Sequence, residues 1–241
     1  MVRGLWFALT LLVGSACVGL GFWQLDRLAQ RRAANAVAIA GRERPLLDLG
    51  TPTQEGRAQR RVMARGVFDH AEEIILRGHL LTGAPGVHVV TPLRLTGSDS
   101  AVLINRGFVP AADGAAPEAP VPEEPGAVAI EGIALPVPIT EDGGRPAERA
   151  GRTSWRRLDL EAVRARLPYP VLDVYVLATP DTARRGWPRR VAPRPLDEGP
   201  HLSYALQWFG IASAVLAFGI FFVLGVGRGS AAAVPPAPPG P

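Results

Sequence analysis

The chain reads Gly21-Phe22-Trp23-Gln24-Leu25-Asp26-Arg27 where one apolar stretch ends and His201-Leu202-Ser203-Tyr204-Ala205-Leu206-Gln207-Trp208-Phe209 where another begins. The first stretch covers Gly4–Leu25 and the second covers Leu202–Gly227. At about 1.5 Å of rise per helical residue, each is long enough to cross a hydrocarbon core of about 30 Å. Two spans return both termini to one side of a membrane, so the two motifs are expected at the same membrane face.

These motifs predict a composite site made from the two ends of the chain. We expect Trp23, Gln24 and Arg27 to lie near His201, Tyr204 and Trp208. A titratable imidazole that heads a helix entering lipid is costly unless it is paired or ligated, and neutral imidazole is a common axial ligand of haem iron.

Simpler interpretations of the same residues remain open. Trp and Tyr are enriched wherever a membrane meets water, so the residues around His201 also fit an interfacial belt. Arg27 could bind a carboxylate such as a haem propionate bidentately, or it could only anchor the helix end by snorkelling.

The sequence between the two spans predicts a mostly antiparallel α+β domain over residues 41–200. Alternating or apolar runs rich in β-branched residues, with turn signals between them, predict six strands. A short helix is predicted over Leu160–Leu167, with Asp159 as a candidate N-cap before it and Pro168 directly after its last residue. The six predicted strands are Arg61–Asp69, Glu73–Leu80, Gly86–Leu95, Ala101–Val109, Ala127–Leu135 and Val171–Ala178.

Four segments outside those elements also carry predictions. The first helix has no breaker before Gly41 and is expected to continue to about residue 40. Loops are predicted over Ala111–Gly126 and Glu141–Gly151. The Ala- and Pro-rich residues 229–241 predict a disordered tail.

Charge and composition exclude some functions. The chain has 241 residues, a formal charge of +4 and no lysine, and its acidic residues are interspersed with arginine between Asp26 and Glu198. This is a mixed surface rather than the basic stripe of a nucleic-acid-binding protein. The first span begins almost at Met1 without an Arg- and Ser-rich transit peptide, which favours a bacterial membrane. The charges near the spans place the loop domain in the cytoplasm, but that rule is reliable only for short loops.

The middle of the chain has few candidate chemical groups. His79 and His88 are nearly symmetric about the turn at Gly83–Gly86, so they are expected to face each other across a hairpin. Two imidazoles without a third ligand make a weak metal site. Arg106 in Asn105-Arg106-Gly107-Phe108-Val109-Pro110 could reach a partner, although the motif also fits a simple strand end with Gly107 at a bulge. No nucleophile triad, Walker loop, GxGxxG or CxxC motif is present, so we expect no enzyme activity.

The three motifs together resemble the surfeit-locus-one family, which assists assembly of cytochrome c oxidase. The resemblance extends to Trp155 with Asp159 and to the strand that holds Tyr175. It implies a bacterial inner-membrane protein with two transmembrane helices, a periplasmic loop domain and cytoplasmic termini, against the charge count. The chain departs from the family in having Phe108 where Trp is common.

The resemblance also implies a function. It suggests delivery or retention of haem a for the oxidase, with His201 as the position matching a haem-binding His. Oxidase subunit I and haem A synthase are the implied partners. The alternative is a cofactor-free scaffold that stabilises subunit I, and an enzyme is the least favoured class.

Overall fold

A computed structural model describes residues 2–52, 56–139, 146–149, 152–181 and 186–225. The chain forms two compact units. The helical unit consists of residues 1–35 and 196–241, and the β-domain consists of residues 36–195. The predicted disordered tail lies outside the described residues.

Two long helices form the helical unit, and both are apolar and long enough to cross a bilayer. Helix α1 covers Val2–Glu43 and helix α3 covers His201–Gly225. Helix α1 extends past the predicted limit near residue 40, because Gly41 does not interrupt it. Only glycine fits at this position without a shift of its neighbours, since a Cβ on Gly41 would lie 2.8 Å from the Gln59 carbonyl oxygen.

The helices contact each other along one seam of α1. Buried α1 residues recur at spacings of three, four and seven, as in the heptads of a coiled coil; they are Gly14, Cys17, Gly21 and Leu28. Glycine permits this approach, because a Cβ on Gly21 would lie 2.5 Å from the Phe209 ring. The seam therefore uses small residues where the side chains of α3 are large.

Among its described residues, the β-domain has nine strands that form one connected sheet, and one further α-helix. Helix α2, Leu160–Arg166, begins after the N-cap Asp159, whose side chain accepts a hydrogen bond from the Ala162 amide. The strands are β1 Leu47–Asp48, β2 Arg61–Phe68, β3 Ile74–Leu81, β4 Ala84–Leu95, β5 Ala101–Pro110, β6 Ala127–Pro136, β7 Ala147–Arg149, β8 Arg152–Trp155 and β9 Val171–Ala178.

Five of these strands close into a small barrel. The hydrogen-bonded order is β2-β6-β9-β5-β4, and β4 pairs again with β2 through Gly66↔Leu95 to Phe68↔Leu93. All these pairings are antiparallel except β5 with β9. Alternate residues of the five strands fill the interior, including Val62, Leu93, Ile104, Ile130 and Val176. Closure removes exposed strand edges from this part of the sheet.

Strands β3, β8 and β7 extend the sheet beyond β4, and α2 covers one face of this region. A second apolar cluster joins Ile74, Val90, Trp155 and Val163 there. Helix α2 is therefore held by packing as well as by its N-cap.

The six predicted strands and α2 are confirmed to within about two residues at each end. Two expectations need correction. The predicted loop Glu141–Gly151 contains strand β7 at Ala147–Arg149, while residues 140–145, 150 and 151 lie outside the described part. The hairpin turn is shorter than Gly83–Gly86, because β4 already begins at Ala84. Thr82 and Gly83 have φ of 49° and 85°, as a tight hairpin turn of the primed type requires.

Candidate functional site

The helical unit brings together His201 and Gln24, one from each motif of the predicted site and 177 residues apart in the sequence. His201 Nδ1 lies 2.8 Å from Gln24 Oε1. An amide oxygen can only accept, so the imidazole donates through Nδ1–H. In a neutral ring, the lone pair is then on Nε2, which is the nitrogen that can bind a metal ion.

Gly199, in the segment before α3, lies beside that nitrogen. Gly199 has φ +68°, and a Cβ at this position would lie 3.6 Å from His201 Nε2. The backbone conformation therefore favours glycine, whereas an added Cβ would make only an ordinary van der Waals contact with the ring.

The predicted neighbours of His201 on α3 differ in their burial. Ala205 is buried and Trp208 is half-buried, so these two share the face of α3 that includes His201. Tyr204 is 46% exposed and lies beside that face.

Trp23 and Arg27 lie on the exposed side of α1. The guanidinium carbon of Arg27 is 5.5 Å from the Trp23 ring centroid, and its Nη1 donates to Gln30 at 3.0 Å. Within the described residues, these contacts of Arg27 are all to α1 itself. The structure thus joins Gln24 to His201 and leaves Trp23 and Arg27 as a neighbouring exposed pair.

A polar clamp holds the start of α3 against α1. Arg32 donates to both carboxylate oxygens of Glu198 at 2.8 Å, and this hydrogen bonding lowers the pKa of Glu198. Asn35 Nδ2 donates to the Asp197 carbonyl at 2.8 Å. Exposed ion pairs stabilise little, but this one fixes the segment that positions His201. Sequence reasoning did not include this clamp, and the acidic pair before α3 was its only signal.

Arg106 is buried inside the β-domain, near the end of a strand that finishes at Pro110, as the strand-end interpretation predicts. It lies within β5, at a bulge where Val89 pairs with Gly107 and Val90 pairs with Asn105. Its side chain is 2% exposed and contacts Glu73 and Glu124 at 3.0 Å each, and its Nη2 donates to the Pro122 carbonyl. The predicted loop Ala111–Gly126 therefore contributes partners to a buried charge.

The rest of the Asn105–Pro110 motif also has structural contacts. Gly107 has φ +129°, and a Cβ there would lie 2.3 Å from the Arg189 carbonyl oxygen. Phe108 forms two backbone hydrogen bonds with Arg189, both of 2.8 Å. The Phe108 side chain is 1% exposed. The motif thus fastens the segment before α3 to the barrel.

Trp155 and Asp159 support helix α2. Trp155 is 2% exposed within the apolar cluster beneath α2. Asp159 caps the helix through a 2.9 Å bond from the Ala162 amide to Oδ1.

His79 and His88 face each other, as the hairpin predicts, with ring centroids 4.2 Å apart. Asn105 Oδ1 accepts from the Gly107 amide, so its Nδ2 is the atom that faces His88 Nδ1 at 2.9 Å. That His88 lone pair is therefore occupied by an N–H donor. Burial, with His79 adding, lowers the pKa of His88 to about 4. In the described part of the chain, no three His, Cys, Asp or Glu residues are grouped to hold a metal ion.

The sequence model of the SURF1 family matches residues 11–213. The chain belongs to the SURF1 family. A SURF1-like protein of Monosiga brevicollis is 28% identical over 97% of this chain and 93% of its own length. Surfeit locus protein 1 of Homo sapiens is 27% identical over 85% of this chain and 73% of its own length. A SURF1-like protein of Rickettsia felis is 26% identical over 85% of this chain and 91% of its own length.

The SURF1 match includes every residue of the predicted site. It begins before Trp23 and ends after Trp208, so it contains the start of α3 and the bulge at Arg106. Family membership therefore covers both the helical unit and the β-domain.

Proposed function

We propose that this SURF1-family chain is an assembly factor for cytochrome c oxidase that binds haem a through His201 and assists its delivery to, or retention in, the catalytic subunit. The observation that supports this best is the bond from His201 Nδ1 to Gln24 Oε1, which leaves Nε2 as the ligating nitrogen. Metal-ligating histidines usually donate their other ring N–H to an oxygen acceptor, which fixes the tautomer and raises ligand basicity.

The residues around His201 fit a haem. Haem iron takes neutral imidazole as an axial ligand, and Nε2 is the ring nitrogen that Gln24 does not use. Trp23 and Tyr204 are exposed aromatic side chains that suit an apolar macrocycle, and Trp208 is half-buried on the face of α3 that includes His201. Arg27 has an exposed guanidinium for a propionate. The haem is cargo in this proposal, and we expect the chain to carry out no chemistry on it.

We further propose that α1 and α3 span the inner membrane of a bacterium. The β-domain is then periplasmic and both termini are cytoplasmic. A periplasm-dependent reporter inserted at Gly114, in a loop of the β-domain, should be active. Activity of a fusion after Gly229 with a silent insertion at Gly114 would reverse this topology. Subunit I of the oxidase and haem A synthase are the proposed partners, together with the lipid bilayer.

The deciding experiment is a spectrum of the protein purified from cells that make haem a. The wild-type chain should show a Soret band and the red-shifted α band of haem a. His201→Ala should lose most of this absorbance while remaining in the membrane. His79→Ala is the matched control, because His79 lies in the β-domain and should leave the spectrum unchanged. Arg27→Ala should weaken binding less than His201→Ala, since iron ligation remains.

One observation favours the cofactor-free scaffold as a second candidate. The His201–Gln24 bond joins α1 to α3 by itself, so it would stabilise the helix pair without any ligand. A wild-type chain without haem, or an unchanged spectrum in His201→Ala, would contradict the haem proposal and leave the scaffold.

A further inference from the structure

A cavity of about 680 Å³ opens on the β-domain beside the bulge of β3. Two glycines form part of its wall, with φ of +80° at Gly78 and +62° at Gly114. The Gly78 amide donates to the Gly114 carbonyl at 2.9 Å. A Cβ on either glycine would meet no atom within 4 Å, so it would project into open space. This wall of the cavity is bare backbone.

Two arginines bring positive charge to the cavity. Arg77 Nη1 donates to the Ser154 carbonyl at 3.1 Å and to Ser154 Oγ at 3.4 Å. These bonds hold its guanidinium beside β8 and use only one of its three nitrogens. Arg156 follows β8, is exposed and also lines the cavity. Within the described ranges, Arg156 makes no hydrogen bond or ion pair with another residue.

The remaining ionisable groups offset this charge only in part. Asp113 Oδ1 accepts from the backbone amides of Ala115 and Ala116 at 2.8 and 3.2 Å. His79 also lines the cavity, and burial followed by the charge of Arg194 lowers its pKa, so it is neutral at pH 7. Two guanidiniums opposite one carboxylate leave one net positive charge in the lining.

We infer that this cavity is a carboxylate-binding site that accepts an Asp or Glu side chain from a partner protein, with Arg156 as the main contact and Arg77 as the fixed one. A guanidinium presents paired N–H donors that match the two oxygens of a carboxylate. One net positive charge complements a monoanion better than a phosphate dianion. The volume lies within the range of about 300–1,000 Å³ for ligand pockets, which leaves room for the chain attached to the carboxylate.

Calorimetry on the full chain in detergent micelles tests this inference. The probes are an acetylated and amidated Gly-Ser-Glu-Ser-Gly peptide, free glutarate and inorganic phosphate. Arg156→Gln should weaken peptide binding about 10- to 100-fold, as expected for a lost hydrogen bond to a charged group. The matched control is Arg157→Gln, because Arg157 is the next residue, is also exposed and lies outside the cavity lining. It should bind the peptide like the wild type.

A second readout does not depend on the variants. A bound carboxylate should raise the pKa of His79, because a nearby negative charge favours the imidazolium. Peptide binding should therefore shift the NMR titration of His79 upward. Tighter binding of the peptide than of glutarate supports a partner protein as the source of the carboxylate.

Four results would overturn the inference. They are no peptide binding at millimolar concentration, equal binding by Arg156→Gln and wild type, phosphate binding tighter than either carboxylate, and glutarate binding as tight as the peptide. The last would assign the cavity to a small free acid instead. None of these results bears on haem, so this inference and the proposed function fail separately.

Discussion

The guanidinium of Arg106 in the β-domain and the imidazole of His201 in the helical unit are both held by polar partners, but they differ in what remains available. Three of the Arg106 nitrogens bond to Glu124, Glu73 and Pro122, and its side chain is 2% exposed. His201 is half-buried and uses one ring nitrogen on Gln24. A charge enclosed by its partners serves the fold, whereas a ring with one nitrogen left over can serve a ligand.

The largest loss of stability is expected from a substitution of Arg106. Arg106→Leu would leave Glu73 and Glu124 without the guanidinium between them, and breaking such a buried pair costs about 3–5 kcal/mol. Hydrogen exchange measured across the barrel strands should therefore accelerate strongly. Arg61→Leu is the control, because its ion pair with Glu131 is exposed and its loss should cost less than about 1 kcal/mol. Equal effects of the two substitutions would contradict a structural role for Arg106.

A pH effect of similar size is expected at His88. Its pKa falls from 6.5 to about 4 on folding, chiefly because of burial. The unfolded chain therefore binds more protons between these values, so stability falls as pH is lowered from 6.5 and the loss is complete below about pH 4. At about 1.4 kcal/mol per pKa unit, the loss is about 3 kcal/mol.

A comparison of wild type with His88→Gln isolates the contribution of His88 to the pH dependence of stability. The stability of the β-domain, followed by hydrogen exchange, should depend less on pH in the variant between pH 6.5 and 4. The lowered pKa of His79 adds a smaller slope of the same sign. An identical pH dependence in both proteins would show that His88 titrates normally.

A glycine pair in α1 tests how closely the helices approach. A Cβ on Gly21 would lie 2.5 Å from the Phe209 ring, whereas one on Gly19 would meet nothing within 4 Å. The ring cannot move freely, because Phe22 packs edge-on against it with centroids 5.4 Å apart. Overpacking of this kind costs about 1–3 kcal/mol, so Gly21→Ala should lower the melting temperature of the helical unit in detergent. Gly19→Ala should leave it unchanged or raise it slightly, and equal melting temperatures would argue against this seam.

The sequence predicted the structural elements that depend on the local pattern of residues. Alternation placed the six strands, and Asp159 before an apolar run placed the start of α2. Small residues alone did not locate the helix seam, because Cys17 and Gly21 lie on it while Ser15 and Gly19 are exposed.

The local sequence pattern could not predict which distant segments pair with each other. Barrel closure depends on the register between β2 and β4, and the parallel pairing of β5 with β9 joins residues about seventy apart. The partners of Arg106 come from positions 73 and 124, so an isolated strand gives no sign that this charge is buried. The His201–Gln24 pair was predictable, because two apolar helices that both crossed a membrane would bring their inner ends to the same face.

The smallest change in free energy is expected from a substitution of Gln24. This prediction tests most directly whether His201 differs in role from Arg106. Gln24→Leu removes the acceptor of His201 Nδ1–H but leaves Nε2 available for the proposed iron ligation. Loss of such a supporting partner typically weakens metal affinity by at least about tenfold, so haem a should bind with reduced affinity and a shifted Soret band. Gln30→Leu is the control, because Gln30 also lies on α1 but bonds to Arg27 and Asp26. If Gln24→Leu lowered only the melting temperature and left the spectrum of bound haem unchanged, the Gln24–His201 pair would be a helix clamp alone, and its role would match that of Arg106.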